Sequence, residues 1–215
     1  TLFPWLQLRE NISYDYSTSQ EGVWWDPRQG DGESSNGVFQ RSNLERATLT
    51  TQSQLYANHE FGKHQLSGVA SFESESFDQM NIYLWGTDFP TYLKYEISNA
   101  GNSSGSTSVD KTRMLSFLLK GDYSYDDRYI LGASARWDGS SRLAPAHRWG
   151  LFWALSGSWN IGKENFMKEL EPVLSDTRLR LSYGANGTLP YNYYDHLSLY
   201  SFGYNYNGRT GTAES

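Results

Sequence analysis

Apolar and polar residues alternate with a period of two through this chain, in stretches longer than ordinary strands carry. Residues 5–16 place Leu6, Leu8, Ile12, Tyr14 and Tyr16 on one side. Gln7, Arg9, Asn11, Ser13 and Asp15 fall on the other, and Glu10 is the one misfit on the apolar side. A period of two is the pattern of a strand. Strands of soluble proteins average about five to six residues, whereas a tilted strand crossing a bilayer needs about ten. The pattern recurs over 46–57, 64–75, 113–125, 129–138 and 149–160, and in a shorter run over 177–184. In 129–138, Tyr129, Leu131, Ala133, Ala135 and Trp137 oppose Ser134, Arg136 and Asp138. In 149–160, Leu151, Trp153, Leu155, Gly157 and Trp159 oppose Ala154, Ser156, Ser158 and Asn160.

The connections alternate in length. Residues 17–45 and 76–112 read as long, polar loops, 58–63 and Asp126-Asp127 as short turns, and 139–148 as intermediate. Long loops on one side and tight turns on the other are the layout of an outer-membrane barrel. One exception is 161–176, where Phe166, Leu170, Val173 and Leu174 predict a short helix near 165–174, with Asn165 as its cap. Tyr14, Tyr16, Tyr123, Tyr125, Tyr129, Trp137, Trp149 and Trp159 crowd the strand ends, where amphipathic rings sit at a membrane surface. Periodicity alone leaves a second reading open, a soluble β-sandwich whose Tyr and Trp fill a core.

Composition narrows the classes. Aromatic residues make up 16% of the 215, with 20 Gly, a β rather than a helical balance. No stretch approaches the ~20 apolar residues of a membrane helix, a test that barrel strands never meet. The absence of Cys excludes disulfides and Cys-ligated zinc. A net charge of −6 with no basic run argues against nucleic acid as a partner. No signal peptide is visible, and the opening Thr1-Leu-Phe-Pro reads as the interior of a longer protein.

Residues 123–160 carry a specific set of motifs. They read Tyr-Ser-Tyr-Asp-Asp-Arg-Tyr, then Arg136-Trp-Asp138-Gly139-Ser140-Ser141-Arg142, then Arg148-Trp149-Gly150-Leu-Phe-Trp and on to Trp159. Leu174-Ser-Asp-Thr-Arg-Leu-Arg-Leu-Ser-Tyr-Gly184 follows. This set resembles the central barrel signature of the SusC/RagA TonB-linked outer-membrane proteins, densely over about 110–190. Leu143 stands where the family has Phe, and Trp153-Ala154 where it has Pro-Ser. The resemblance implies an all-β, antiparallel sector of about seven long strands from a larger barrel of about 22. On this reading 1–215 is a partial barrel domain without the family's plug, TonB box or C-terminal strands, and 185–215 is outer loop or an extended hairpin.

The resemblance also implies a function: TonB-dependent import of an oligosaccharide or peptide across the outer membrane of a Gram-negative, Bacteroidetes-like cell. The implied partners are a SusD-like lipoprotein, the TonB complex and outer-membrane lipid, with no cofactor and no chemistry on the ligand. The competing classes are a surface glycan-binding β-sandwich and, more weakly, a carbohydrate-active enzyme.

Each chemical motif has a plainer alternative. Gly139-Ser-Ser-Arg142 lacks the strand, lysine and helix of a phosphate-binding loop. Arg136, Asp138, Arg142 and Arg148 read instead as an ion-pair and turn network at the rim. His59 and His64 lack the further ligands a metal needs. Glu73/Glu75 share one face of a strand and Asp126/Asp127 a turn, so neither makes a glycosidase pair. The ligand candidates are loop residues: Trp24, Trp25, Trp85, Phe89, Tyr92 and Tyr95, whose rings stack on sugars, with Asp26 and Asp88 accepting hydroxyl hydrogen bonds. The alternative is that these rings pack the loops together.

Overall fold

In the computed structural model the described residues are 3–170, 177–190, 193–194, 196–197, 200–206 and 209–214. Seven strands lie in one sheet in chain order: β1 (Leu6–Trp25), β2 (Val38–Phe61), β3 (His64–Thr87), β4 (Asn102–Tyr125), β5 (Tyr129–Ser140), β6 (Trp149–Asn160) and β7 (Arg178–Ala185). A separate two-stranded antiparallel sheet pairs β8 (Tyr200–Tyr206) with β9 (Arg209–Glu214), the hairpin form expected beyond residue 185.

The alternation explains the sheet. The antiparallel register lines up Tyr125, Tyr129, Trp159 and Leu179 across β4 to β7, then Tyr123, Leu131, Gly157 and Leu181, then Gly121, Ala133, Leu155 and Tyr183. These rows share one face, and most of their large side chains are exposed, Leu181 at 78% and Leu131 at 62%. The opposite face carries Lys120, Ser134 and Ala154 in one row, and Asp122, Gly132, Ser156 and Ser182 in the next. A sandwich would bury its apolar face against a second sheet. Here the buried hydrophobic side chains among the described residues are Phe39, Phe89 and Met167. An apolar face left open, with polar residues turned the other way, is the arrangement of a barrel wall in lipid. Glu10, on the apolar side, accepts a hydrogen bond from Ser53 Oγ at 2.6 Å.

Short turns join β2 to β3, through Gly62-Lys63, and β4 to β5, through Asp126-Asp127-Arg128. Asp126 and Asp127 both have positive φ (54° and 53°), as a type I′ turn requires, and the Arg128 amide donates to the Tyr125 carbonyl at 2.9 Å. Gly62 (φ 61°) opens the β2–β3 turn, where a side chain would be strained.

Three expectations need correction. The stretches 17–45 and 76–112 are mostly strand: β1 to β4 run for 20 to 24 residues, leaving connections only at 26–37 and 88–101. Ser17-Thr18-Ser19 and Asn102 to Ser108 are polar on both faces, so they alternate nothing that marks a strand. The expected helix is 3₁₀ rather than α, at Ile161–Lys163 and Asn165–Leu170, and Asn165 is its first residue rather than its cap. Val173 and Leu174, offered as its apolar face, lie outside the described residues.

The chain falls into two compact units, one of Thr1–Ile12, Thr50–Glu75 and Arg113–Ser215, the other of Ser13–Leu49 and Ser76–Thr112. The first holds the apolar-faced rows and the tight turns. The second holds the long connections.

Candidate functional site

In the second unit, backbone pairing ties the connections 26–37 and 88–101 together. The Asp88 amide donates to the Ser35 carbonyl at 3.0 Å and the Phe89 amide to the Asn36 carbonyl at 2.9 Å. Asn36, in the left-handed region at φ 48°, donates from Nδ2 to Asp88 Oδ1 at 2.8 Å. These bonds draw the expected aromatics into one cluster. Trp24 meets Phe89 edge-on at 4.9 Å and stacks on Tyr95 at 5.1 Å. Phe39, which sequence reasoning missed, meets Tyr95 at 5.4 Å. Gly37 (φ 86°) lies so close that a Cβ there would stand 2.7 Å from the Trp24 ring.

Phe89 is only 2% exposed and Asp88 is engaged by Asn36. Asp26 receives two hydrogen bonds from the Arg28 guanidinium, at 2.9 and 2.7 Å. Those bonds, then the one from the Arg28 amide, hold the Asp26 carboxyl down at about 2. The same guanidinium lies 4.0 Å over the Tyr92 ring. Trp25 and Trp85 are half-buried outside this ring cluster, while Tyr92 and Tyr95 keep 46% of their surface exposed. Trp24, Phe89 and Tyr95 thus pack against one another, while Tyr92 backs Arg28.

The signature residues shape the β5–β6 connection. Arg136 Nε donates to both Asp138 oxygens at 2.8 and 2.9 Å, and its Nη2 donates to Ser116 Oγ at 3.1 Å. Ser140 links the ends of the turn, its amide donating to the Arg148 carbonyl at 3.0 Å and its Oγ accepting from the Arg142 amide at 3.2 Å. The Arg142 guanidinium lies 4.2 Å over Tyr193, and the Ser141 amide donates to the Arg113 carbonyl at 3.0 Å. Trp149 covers Gly139 and Phe152 covers Gly150 so closely that a Cβ at either glycine would meet the ring at 2.9 Å. Of the expected network, Arg136 and Asp138 form an ion pair, and Arg148 enters through its carbonyl.

The tight-turn end holds a second charged cluster, around Glu164, which sequence reasoning missed. Its Oε1 accepts from the Tyr129 hydroxyl at 2.6 Å and from Trp159 Nε1 at 3.0 Å, and Arg128 lies 3.5 Å from Oε2. Asp126 bridges Lys63 and Arg128, both at 3.2 Å, and Lys163 meets Asp127 at 3.1 Å. The Tyr129 hydrogen bond, then that of Trp159, holds the Glu164 carboxyl below its ordinary 4.5, against a smaller opposing effect of desolvation. A lowered carboxyl pKa stabilises the fold above the unfolded value and is lost as pH falls through the folded one. Thermal midpoints of the full-length protein should therefore fall for Glu164→Gln at pH 7, and that gap should close once the pH drops well below 4.5. A gap of equal size at pH 7 and pH 3 would show that the carboxylate contributes nothing.

The other chemical motifs resolve simply. His64 Nδ1 lies 2.7 Å from the Tyr123 hydroxyl, and His59 packs on Phe61. Glu73 accepts from Gln52 at 2.9 Å and lies 3.8 Å from Arg136. No group of metal-binding side chains occurs among the described residues.

No family model matches the chain. It is 30% identical over 159 residues to TonB-dependent receptor P39 of Formosa agariphila, a match covering 70% of this chain and 15% of that protein. It is 42% identical over 77 residues to TonB-dependent receptor SusC of Bacteroides thetaiotaomicron, covering 36% of this chain and 8% of SusC. The chain thus spans less than a fifth of the length of either relative. Among solved structures, the RagAB peptide transporter superposes on all of this chain with a TM-score of 0.89 at 20% identity, using 24% of its own chain. The open-open state of the RagAB peptide importer gives 0.87 at 22% identity. At these identities the likeness establishes the fold.

Proposed function

We infer that this chain, which belongs to the TonB-dependent receptors of the SusC/RagA kind, forms wall and outer connections of an outer-membrane importer for an oligosaccharide or peptide. The observation that carries this reading is the open apolar face. Its rows of Leu, Phe and Trp are exposed, and Tyr125, Tyr129 and Trp159 mark one end and Trp137 and Trp149 the other. From Tyr129 to Trp137 the strand rises about 27 Å at ~3.4 Å per residue. Tilted by 35–45°, that covers roughly 20 Å, close to the ~25 Å apolar band of outer-membrane barrels.

In the whole protein a SusD-like lipoprotein would deliver the ligand and TonB would supply the energy. No step of this reading alters the ligand chemically. The full-length protein should fractionate with the outer membrane of its Gram-negative host, and uptake through it should stop in cells lacking TonB. Recovery of the full-length protein from the aqueous fraction without detergent would overturn the reading.

A further inference from the structure

Glu164 puts the connection between β6 and β7 on a definite side of the wall. Tyr129 and Trp159 belong to the rows that make up the apolar face. Glu164 Oε1 accepts from the polar tips of both, the Tyr129 hydroxyl at 2.6 Å and Trp159 Nε1 at 3.0 Å. A carboxylate that reaches both tips stands at the outward rim of the wall, on the side where those rings meet lipid. The two strands that carry the rings, β5 and β6, are each paired on both sides, so this rim is not a sheet edge.

Backbone bonds hold the rest of the connection in place. The Gly162 amide donates to the Thr177 carbonyl at 2.9 Å, and the Glu164 and Met167 amides donate to the Ile161 and Glu164 carbonyls, both at 3.0 Å. Met167 is turned in, at 8% exposure, while its neighbour Phe166 is 64% exposed. A 3₁₀ turn sets successive side chains about 120° apart, so the Phe166 ring leaves on a different side from the packed methionine. An apolar ring standing free at the rim gains by leaving water. The charges beside it balance: Lys63, Arg128 and Lys163 are matched by Asp126, Asp127 and Glu164. Three cations against three carboxylates leave no net charge, which suits a zwitterionic headgroup layer better than an anionic one.

We propose that 161–170 is an interfacial anchor, a segment outside the strands that lies along phospholipid headgroups with the Phe166 ring entering the acyl boundary. Amphipathic segments bury their apolar side at that depth. The proposal rests on reading the sheet as membrane wall and adds a lipid contact made by a connection. The test places p-benzoylphenylalanine at one position of the full-length protein, refolded into vesicles of phosphatidylcholine and phosphatidylethanolamine. After irradiation the adducts are identified by mass. Leu155, on the apolar face, reports lipid at the wall, and Ser156, on the polar face, sets the background. Phospholipid adducts at position 166 should form about tenfold above that background. Glu164→Ala, which removes both ring hydrogen bonds, should lower the yield at 166 about threefold and leave that at 155 unchanged.

Lipid adducts at 155 with only background at 166, or protein adducts at 166, overturn the anchor and leave the wall reading standing. An unchanged yield at 166 in Glu164→Ala overturns the carboxylate as the group that holds the segment at the rim. Background yield at 155 overturns the wall reading, and the anchor with it.

Discussion

Full-length protein carrying Leu155→Arg should refold into phospholipid vesicles about 2–4 kcal/mol less stably than wild type. Leu155 lies in the row with Gly121, Ala133 and Tyr183, midway between the rings at the two strand ends, and is 55% exposed. Lipid at that depth offers a guanidinium neither water nor a counter-ion, which is the origin of the cost. Ser156→Arg, one residue on, points to the other face, in the row that holds Asp122. There it meets polar neighbours and should cost about 1 kcal/mol or less. A denaturant titration of both variants reads the difference. Equal losses would mean that the apolar face does not meet lipid.

This contrast also explains what the sequence made legible. Inside the membrane the two faces of a strand meet different solvents, so alternation is enforced residue by residue and β5 and β6 were read to within two residues of their ends. A stretch with water on both faces is under no such demand. The parts of β1 to β4 in the second unit do not alternate, and they read as loop. Asp126-Asp127 was legible as a turn because two adjacent short polar residues tolerate the left-handed region between two alternating runs. Glu164 was not, because what marks it is its neighbours: Tyr129, Trp159 and Arg128 reach it across two connections. The loop aromatics show the same limit. Residue type identified Trp24, Phe89 and Tyr95 as able to stack, but whether they stack on a ligand or on each other depends on which connections pair. That pairing is set by Asn36 and Asp88, neither of which advertises it in sequence.

Phe89 provides the test of that packing. Phe89→Ala should destabilise the paired connections by about 3–5 kcal/mol, the usual cost of truncating a fully buried phenylalanine. The ring is 2% exposed, meets Trp24 edge-on at 4.9 Å and lies over Gly37 and Gly86, so its loss opens a void at the centre of the cluster. The cost falls on the two connections that this cluster and the Asn36–Asp88 bond tie together, so 26–37 and 88–101 should open locally. Limited proteolysis of the full-length protein should then cut these connections at least a hundredfold faster, while the unfolding transition of the seven-strand wall stays where it is. Tyr92→Ala serves as the contrast. Its ring, 46% exposed, backs the Arg28 guanidinium, and its loss should cost about 1 kcal/mol or less. If Phe89→Ala leaves the cutting rate unchanged, the aromatic cluster is not what holds the connections, and its rings return to being candidates for ligand contact. If the rate rises as expected, Phe89 is structural and recognition by this unit falls to its exposed residues, Tyr92 and Tyr95 among them.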